Sequence, residues 1–167
     1  MADHPPFPVN AVNVIRTAQQ INVQLSQMAD QKASILMGAA FVIFTIAINQ
    51  AHGAMPPLPL LILGASAFAA AVCAVLAIMP AAGAAPRGPA NLLFFGSFAR
   101  LSEEEFTEAM LEIVRTDEGA YRAMLRDMHQ NGVVLARKKY RMLGWAYRAF
   151  LAGLTGSLAA FVAERLI

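Results

Sequence analysis

The segment from Leu58 to Met79 constrains this chain most, because its 22 residues include no charged side chain. A helix rises about 1.5 Å per residue, so such a segment reaches about 33 Å and exceeds the roughly 30 Å hydrocarbon core of a bilayer. The composition agrees, since 57% of the residues are hydrophobic and 14% are charged, against about 25% charged in typical soluble domains. We therefore predict a membrane protein with a transmembrane helix at 58–79.

Two further segments are apolar enough to cross a bilayer. Residues 33–50 are uncharged and just long enough for a first span. Residues 142–163 form a third span, in which Arg148 lies within the first two turns and can extend to the head groups beside the interfacial Trp145. The predicted fold class is an all-α integral membrane protein with three transmembrane helices, and residues 1–167 are treated as a single domain.

Positive charge is distributed unevenly along the chain. Ten of the thirteen Lys and Arg residues lie between Arg87 and Arg148, whereas the loop between the first two spans has none. Because positively charged loops stay in the cytoplasm, residues 81–141 are predicted to be a cytoplasmic helical segment, and the N-terminus is predicted to be cytoplasmic too. The first 31 residues contain no apolar run of the kind found in secretory signals, so export is not expected.

Residues 7–31 have the apolar spacing of a heptad helix. The other faces of this predicted cytoplasmic helix carry Asn and Gln with almost no charge, which indicates a helix packed against other helices. Its partners are either copies of the chain in an oligomer or the core of the same chain. The heptad seam consists of Phe7, Ala11, Val14, Ala18, Ile21, Leu25 and Met28.

Local spacing also predicts the helices of the cytoplasmic segment. Ser102 and Glu105 form a capping box, so a helix begins at residue 102 and ends near Thr116. A second helix then begins, and nothing between it and the third span has to end it, although Gly132 is a weak point. The simplest interpretation is one long helix that enters the membrane.

The sequence has no defensible catalytic or metal-binding constellation. Cys73 has no cysteine partner and is expected to pack in an apolar environment. His4, His52 and His129 have neither metal-ligand spacing nor a nucleophile beside them. We expect no enzyme activity, no cofactor and no metal. A capped, solvated helix explains the clustered acids Glu103, Glu104, Glu105, Glu108 and Glu112.

A basic cluster lies directly before the third span. It binds either anionic lipid head groups or a small anion, because Arg137 and Arg141 share one face of an α-helix and Lys138 lies about 100° away. The cluster consists of Arg137, Lys138, Lys139, Tyr140 and Arg141.

Two more groups are candidate ligand residues. Phe94, Phe95 and Phe98 form either an interfacial anchor or a stacking wall for a planar base, whose edge Asn91 can hydrogen-bond. Arg100 lies in the same stretch. Asp30 and Lys32, at the cytoplasmic edge of the first span, are either a cap and an extended lysine or part of one pocket with the basic cluster.

The third span carries two rows of small residues, which allow helix backbones to approach closely in lipid. They predict a homo-oligomer, although packing within one chain can use the same residues. One row is Ala149, Gly153 and Ser157, and the other is Ala152, Gly156 and Ala160.

Three separated stretches, in this order, resemble the transmembrane Pycsar effector proteins of bacterial antiphage defence. They are "ADQKASILMGAA" at 29–40, "NLLFFGSFARLSEEEF" at 91–106 and "GVVLARKKYRMLGWAYRAFLAGL" at 132–154.

The resemblance implies an effector in the bacterial inner membrane that cyclic CMP or cyclic UMP activates to disrupt that membrane and arrest the infected cell. A pyrimidine nucleotide cyclase is then the functional partner, with no nucleic acid polymer involved. A monoanionic cyclic phosphate suits the basic cluster, and a pyrimidine suits Phe94 and Asn91. A constitutive membrane anchor that recruits a cytoplasmic partner is the competing hypothesis, and a membrane enzyme is a more distant one.

Overall fold

The structure is a computed structural model that describes residues 7–50, 55–79 and 91–166, of which 87% are helical. Within these three ranges there is no strand, so the predicted all-α class is confirmed. The long helices are α1 (Ala11–Asn49) and α2 (Leu58–Ile78), followed by the shorter α3 (Phe95–Phe98), α4 (Glu103–Val114) and α5 (Asp117–Val134), then a π-helical segment (Leu135–Tyr140) and α6 (Arg141–Leu166).

Among the described residues, three helical segments are long and apolar enough to span a membrane. They match the predicted spans: 33–50 lies in α1 except for its last residue, Gln50, 58–79 coincides with α2 and its C-cap Met79, and 142–163 lies in α6. Helix α5 continues through the π-helical segment into α6 without a break, as the sequence predicted. The irregular turn begins at Leu135, three residues after Gly132.

The predicted N-terminal helix and the first span are one helix. Residues 7–31 and 33–50 were predicted as separate segments, but α1 runs from Ala11 to Asn49, because no Pro or Gly near residue 32 ends it. It also begins four residues later than predicted. Pro8 disfavours the helical conformation of the residue before it, and its carbonyl oxygen accepts the first turn's hydrogen bond from the Ala11 amide, at 2.8 Å.

Helix α4 begins where the capping box predicted. The Glu105 amide donates to Ser102 Oγ at 3.2 Å, and the Ser102 amide donates to Glu105 Oε2 at 2.8 Å. These two bonds satisfy amide groups that have no partner inside the helix. The three glutamates of the first turn also lie at the positive end of the helix dipole, so this helix start is determined locally.

Packing divides the chain into two compact units, and each is described by itself. The polar unit consists of Met1–Leu25 and Pro80–Val134, and the span unit consists of Ser26–Met79 and Leu135–Ile167. The first part of the predicted cytoplasmic segment, residues 81–90, lies outside the described residues, as do His4 and His52.

Small side chains form the core of the span unit. Because alanine adds so little volume, the helix backbones approach closely, which is how helices associate where the surrounding lipid is as apolar as the helices themselves. Helices α2 and α6 pack along each other, and buried residues of α1 join the same core. The buried residues of this core are Ala29, Ala33, Leu36, Ala74, Ala77, Leu135, Leu143 and Ala146.

Gly153 and Gly156 of α6 face α2 of the same chain. A Cβ atom at Gly153 would overlap the side chain of Ser66, and one at Gly156 would lie 3.3 Å from Cγ2 of Ile62. In this structure Gly153 therefore packs within one chain, an alternative that the sequence left open. In the two predicted small-residue rows, Ala149, Gly156, Ser157 and Ala160 are half-buried and Ala152 is exposed.

We expect Gly153→Ala to destabilise the protein by about 1–3 kcal/mol, because the new methyl group overpacks the α2–α6 contact. Gly144→Ala is the matched control in the same helix, since a Cβ atom there meets nothing within 4 Å. That control should be neutral or stabilising by up to about 1 kcal/mol, as alanine favours helices. Thermal unfolding in detergent measures both changes.

A double-mutant cycle tests the cause. In a Ser66→Gly background there is space for the methyl group that Gly153→Ala adds. Most of the loss of stability caused by Gly153→Ala should therefore disappear. An equal cost in both backgrounds would contradict the proposed contact.

Candidate functional site

The basic cluster lies where the long C-terminal helix departs from α-helical geometry. Residues Leu135–Tyr140 are π-helical, so backbone hydrogen bonds join residues five apart instead of four. The prediction that Arg137 and Arg141 share a face assumed an α-helix, whereas Arg137 lies in the π-helical segment and Arg141 begins α6. Both arginines are exposed, as is Tyr140. Since π-helical turns are frequent at functional sites, the backbone as well as the charge makes this cluster a candidate site.

The two lysines of the cluster bind two different helices of the span unit. Lys138 Nζ donates to the carbonyl oxygen of Met79 at 2.6 Å, at the C-terminal end of α2, where carbonyl groups lack helical partners and a cation is favourable. Lys139 Nζ donates to Ser26 Oγ at 2.8 Å and to Asp30 Oδ2 at 2.6 Å, both in α1. Consecutive residues therefore join the start of α6 to both other long helices.

Asp30 and the basic cluster are brought together through Lys139. The two side chains form an ion pair in which Lys139 is 18% exposed and Asp30 is 38% exposed. Oδ1 of Asp30 is buried and has no hydrogen-bond partner among the residues that the structure describes. Lys32, which the sequence placed beside Asp30, is exposed.

Ser26 was not predicted as a ligand contact, and Lys139 was predicted only as a member of the basic cluster. Ser26 lies one helical turn before Asp30 on α1, so a cation that binds one of these side chains can also bind the other. This spacing was visible in the sequence. Which of the three consecutive cations faces α1 depends on the π-helical turn, and no local pattern revealed that turn.

Asn91 is the buried polar centre of the polar unit, with 3% of its surface exposed. Its side-chain amide donates to Asp127 Oδ1 and to Gln130 Oε1, each at 3.0 Å, and its Oδ1 accepts from the Leu93 amide at 3.0 Å. Asn131 donates to the other oxygen of Asp127 at 3.1 Å. Asn91 therefore anchors the stretch before α3 to α5.

The ligand role predicted for Asn91 requires a free amide edge. In this structure both amide hydrogens and the carbonyl oxygen of that side chain are already bound within the polar unit. A base could use that edge only if it replaced Asp127 or Gln130. The partners Asp127 and Gln130 lie 36 and 39 residues away, so the sequence did not indicate them.

The double Phe is exposed in this structure. Phe94 and Phe95 are 36% and 68% exposed, and their ring centroids lie 4.9 Å apart at an angle of 53°. Gly96 allows this arrangement, because a Cβ atom there would collide with the Phe94 ring. Phe98 instead packs on Phe106 with centroids 5.0 Å apart, and Arg100 is exposed. The polar unit therefore presents two adjacent aromatic rings on its surface, and Arg100 of the same stretch is exposed as well.

Comparison with known proteins identifies one family. The family described as Pycsar effector protein domain matches residues 13–164. Neither the curated proteins nor the solved structures contain a significant match.

We expect Asn91→Ala to loosen residues 92–101, which precede α4. The substitution removes three hydrogen bonds and leaves Asp127 Oδ1 and Gln130 Oε1 without their amide donor. A buried polar group left unsatisfied costs about 1–3 kcal/mol. Amide hydrogen exchange across residues 92–101 should accelerate by roughly tenfold or more. Asn131→Ala is the control, since it removes an exposed hydrogen bond to the same carboxylate; equal acceleration in the control would refute the anchoring role.

Proposed function

The chain belongs to the Pycsar effector protein family, and from this we propose that it is a membrane effector of antiphage defence activated by cyclic CMP or cyclic UMP. Activation disrupts the inner membrane and arrests the infected cell. The observation that carries the proposal is the family match over residues 13–164, which covers nearly the whole of the described chain. The ligand comes from a pyrimidine nucleotide cyclase, and the effector itself performs no catalysis and needs no cofactor.

The membrane location is supported by the three long apolar helices. In the proposed topology the N-terminus and the segment between α2 and α6 are cytoplasmic, because that segment carries most of the positive charge. A cyclase product made in the cytoplasm then reaches the polar unit and the basic cluster directly.

The ligand chemistry is supported by exposed groups in each unit. Arg137 and Arg141 are free to approach solvent, and a guanidinium group is a strong donor to phosphate oxygens. Phe94 and Phe95 offer faces on which a planar base stacks. The same groups fit the competing function of a constitutive anchor, since exposed cations bind anionic lipid and exposed aromatic rings favour the membrane interface.

We expect the full-length protein in nanodiscs to bind cyclic CMP or cyclic UMP at least about tenfold more tightly than cyclic AMP or cyclic GMP, a difference of about 1.4 kcal/mol. Dye release from liposomes should rise with the same pyrimidine nucleotide. Substituting both Phe94 and Phe95 by Ala should abolish the response, because the stacking faces are lost. Leu111→Ala, an exposed apolar position of the polar unit, is the matched control.

Dye release that is equal with and without any cyclic nucleotide would contradict activation and leave the anchor function. Loss of the response in the Leu111→Ala control as well would contradict the specific role of the two phenylalanines.

The N-terminal half of α1 supports a homo-oligomer. The large residues Val14, Ile21, Leu25 and Met28 of the heptad seam are exposed in the single chain. Phe7, at the start of the seam, is also exposed, and its ring packs edge-on against Tyr121 with centroids 4.9 Å apart. A second copy of α1 would cover this stripe, whose flanking faces carry uncharged Asn and Gln.

We expect Ile21→Glu to dissociate the oligomer into smaller species, because it places a charge in the apolar seam. Gln20→Glu adds the same charge at an exposed position outside the seam and should leave the assembly intact. Native mass spectrometry in nanodiscs measures the oligomeric state of both variants. A wild-type protein that is monomeric with and without ligand would reject the proposed assembly.

A further inference from the structure

Lys139 differs from the two arginines of the basic cluster in being largely enclosed. Arg137 and Arg141 are exposed, whereas the Lys139 side chain is 18% exposed and its ammonium group makes two hydrogen bonds to α1. One partner is the Ser26 hydroxyl oxygen and the other is the Asp30 carboxylate. The Ser26 hydroxyl accepts from Lys139 and keeps its own proton to donate. An ammonium group beside a hydroxyl is a donor set that suits a phosphate oxygen.

The Asp30 carboxylate, which binds the Lys139 ammonium group, lacks some of the hydrogen bonds that it can accept. Asp30 Oδ2 is bound by Lys139 at 2.6 Å, but Oδ1 is buried with no partner in the described part of the chain. A carboxylate can accept about four hydrogen bonds, and buried polar atoms are normally bonded. Asp30 therefore holds Lys139 with only one of its two oxygens, and an anion with better access to donors can compete with it.

The backbone around Lys139 is π-helical instead of α-helical. Lys139 lies within the π-helical segment Leu135–Tyr140, next to Lys138, which caps the end of α2. A π-helical turn holds about one more residue than the neighbouring α-helical turns, so a return to α-helical geometry would rotate Lys139 relative to α1. A change at Lys139 is therefore coupled to the junction between α6 and the other two long helices of the span unit.

From these three observations we propose that Lys139 and Ser26 are a binding site for the phosphate of the activating ligand, and that Asp30 occupies this site as an internal anion in the resting protein. The ligand's monoanionic phosphodiester displaces the Asp30 carboxylate from Lys139. This inference rests on the proposed function, since it takes the cyclic nucleotide as the source of the phosphate. Its consequence is that ligand affinity is set partly by the strength of the internal ion pair.

Two substitutions with opposite expected effects test the site in the full-length protein. Asp30→Asn removes the competing charge with little change in shape, so the affinity for cyclic CMP or cyclic UMP in nanodiscs should rise at least about tenfold. Half-maximal dye release should move to correspondingly lower nucleotide concentration. Lys139→Gln removes the proposed donor, so the affinity should fall at least about tenfold. Glu164→Gln, an exposed acid near the end of α6, controls for the loss of one negative charge.

The opposite signs separate the proposal from a general loss of folding, which would weaken binding in both variants. Affinities in Asp30→Asn and Lys139→Gln that both equal the wild-type value would overturn the internal competition while leaving the proposed function intact. A wild-type protein that binds none of the four cyclic nucleotides would overturn the proposed function itself.

The lipid head group is the other source of a phosphate, and vesicle composition distinguishes it. The response to the nucleotide should be present in vesicles of neutral phosphatidylcholine alone. If Asp30→Asn instead causes dye release only in vesicles that contain phosphatidylglycerol, with no effect of nucleotide, the site binds lipid and the assignment to the ligand is wrong.

Discussion

Close approach between helices that carry small side chains is the constraint on which the span unit depends. In lipid, burying apolar surface gives no advantage over contact with acyl chains, so helices associate through packing at short range. The core of the span unit is accordingly built largely from alanines, and Ala33, Ala70 and Ala146 have no exposed surface. Gly153 extends this pattern, because only a hydrogen atom fits against Ser66. Packing of this kind tolerates little change in the distance between α2 and α6.

Tightly packed spans can change their arrangement only at a place where they are joined by bonds that can break and form again. The junction at residues 135–140 is such a place. Its backbone is π-helical, and two lysines of this junction replace apolar packing with polar bonds to Met79 and Asp30. Polar bonds of this kind can be exchanged for bonds to a ligand, whereas the alanine core cannot. The proposed anion site therefore lies where polar bonds join the long helices of the span unit.

The sequence predicted those features that neighbouring residues determine. The bilayer thickness fixes the length of an uncharged run, so α2 was predicted to within one residue of its end. Ser102 and Glu105 determine the start of α4 because their bonds are local. The bond from Asn91 to Asp127 connects residues 36 positions apart, and the pairing of Lys139 with Asp30 depends on a non-α-helical turn. The small residues of α6 had two possible partners, and composition alone did not choose between them.

If the proposed ligand switches the arrangement of the spans, the energy that this requires favours an assembly of several subunits. A resting population of 1:99 becomes 99:1 only if the ligand binds the active arrangement with an advantage of about 5.5 kcal/mol. Replacing one internal carboxylate by one phosphate exchanges an ion pair for another, so a single site supplies only a small part of that advantage. Several sites that act on one assembly add their contributions, and the response to ligand then becomes cooperative. The exposed seam residues of α1 belong to the same helix as Asp30, so the proposed contact between copies and the proposed internal anion lie on one continuous element.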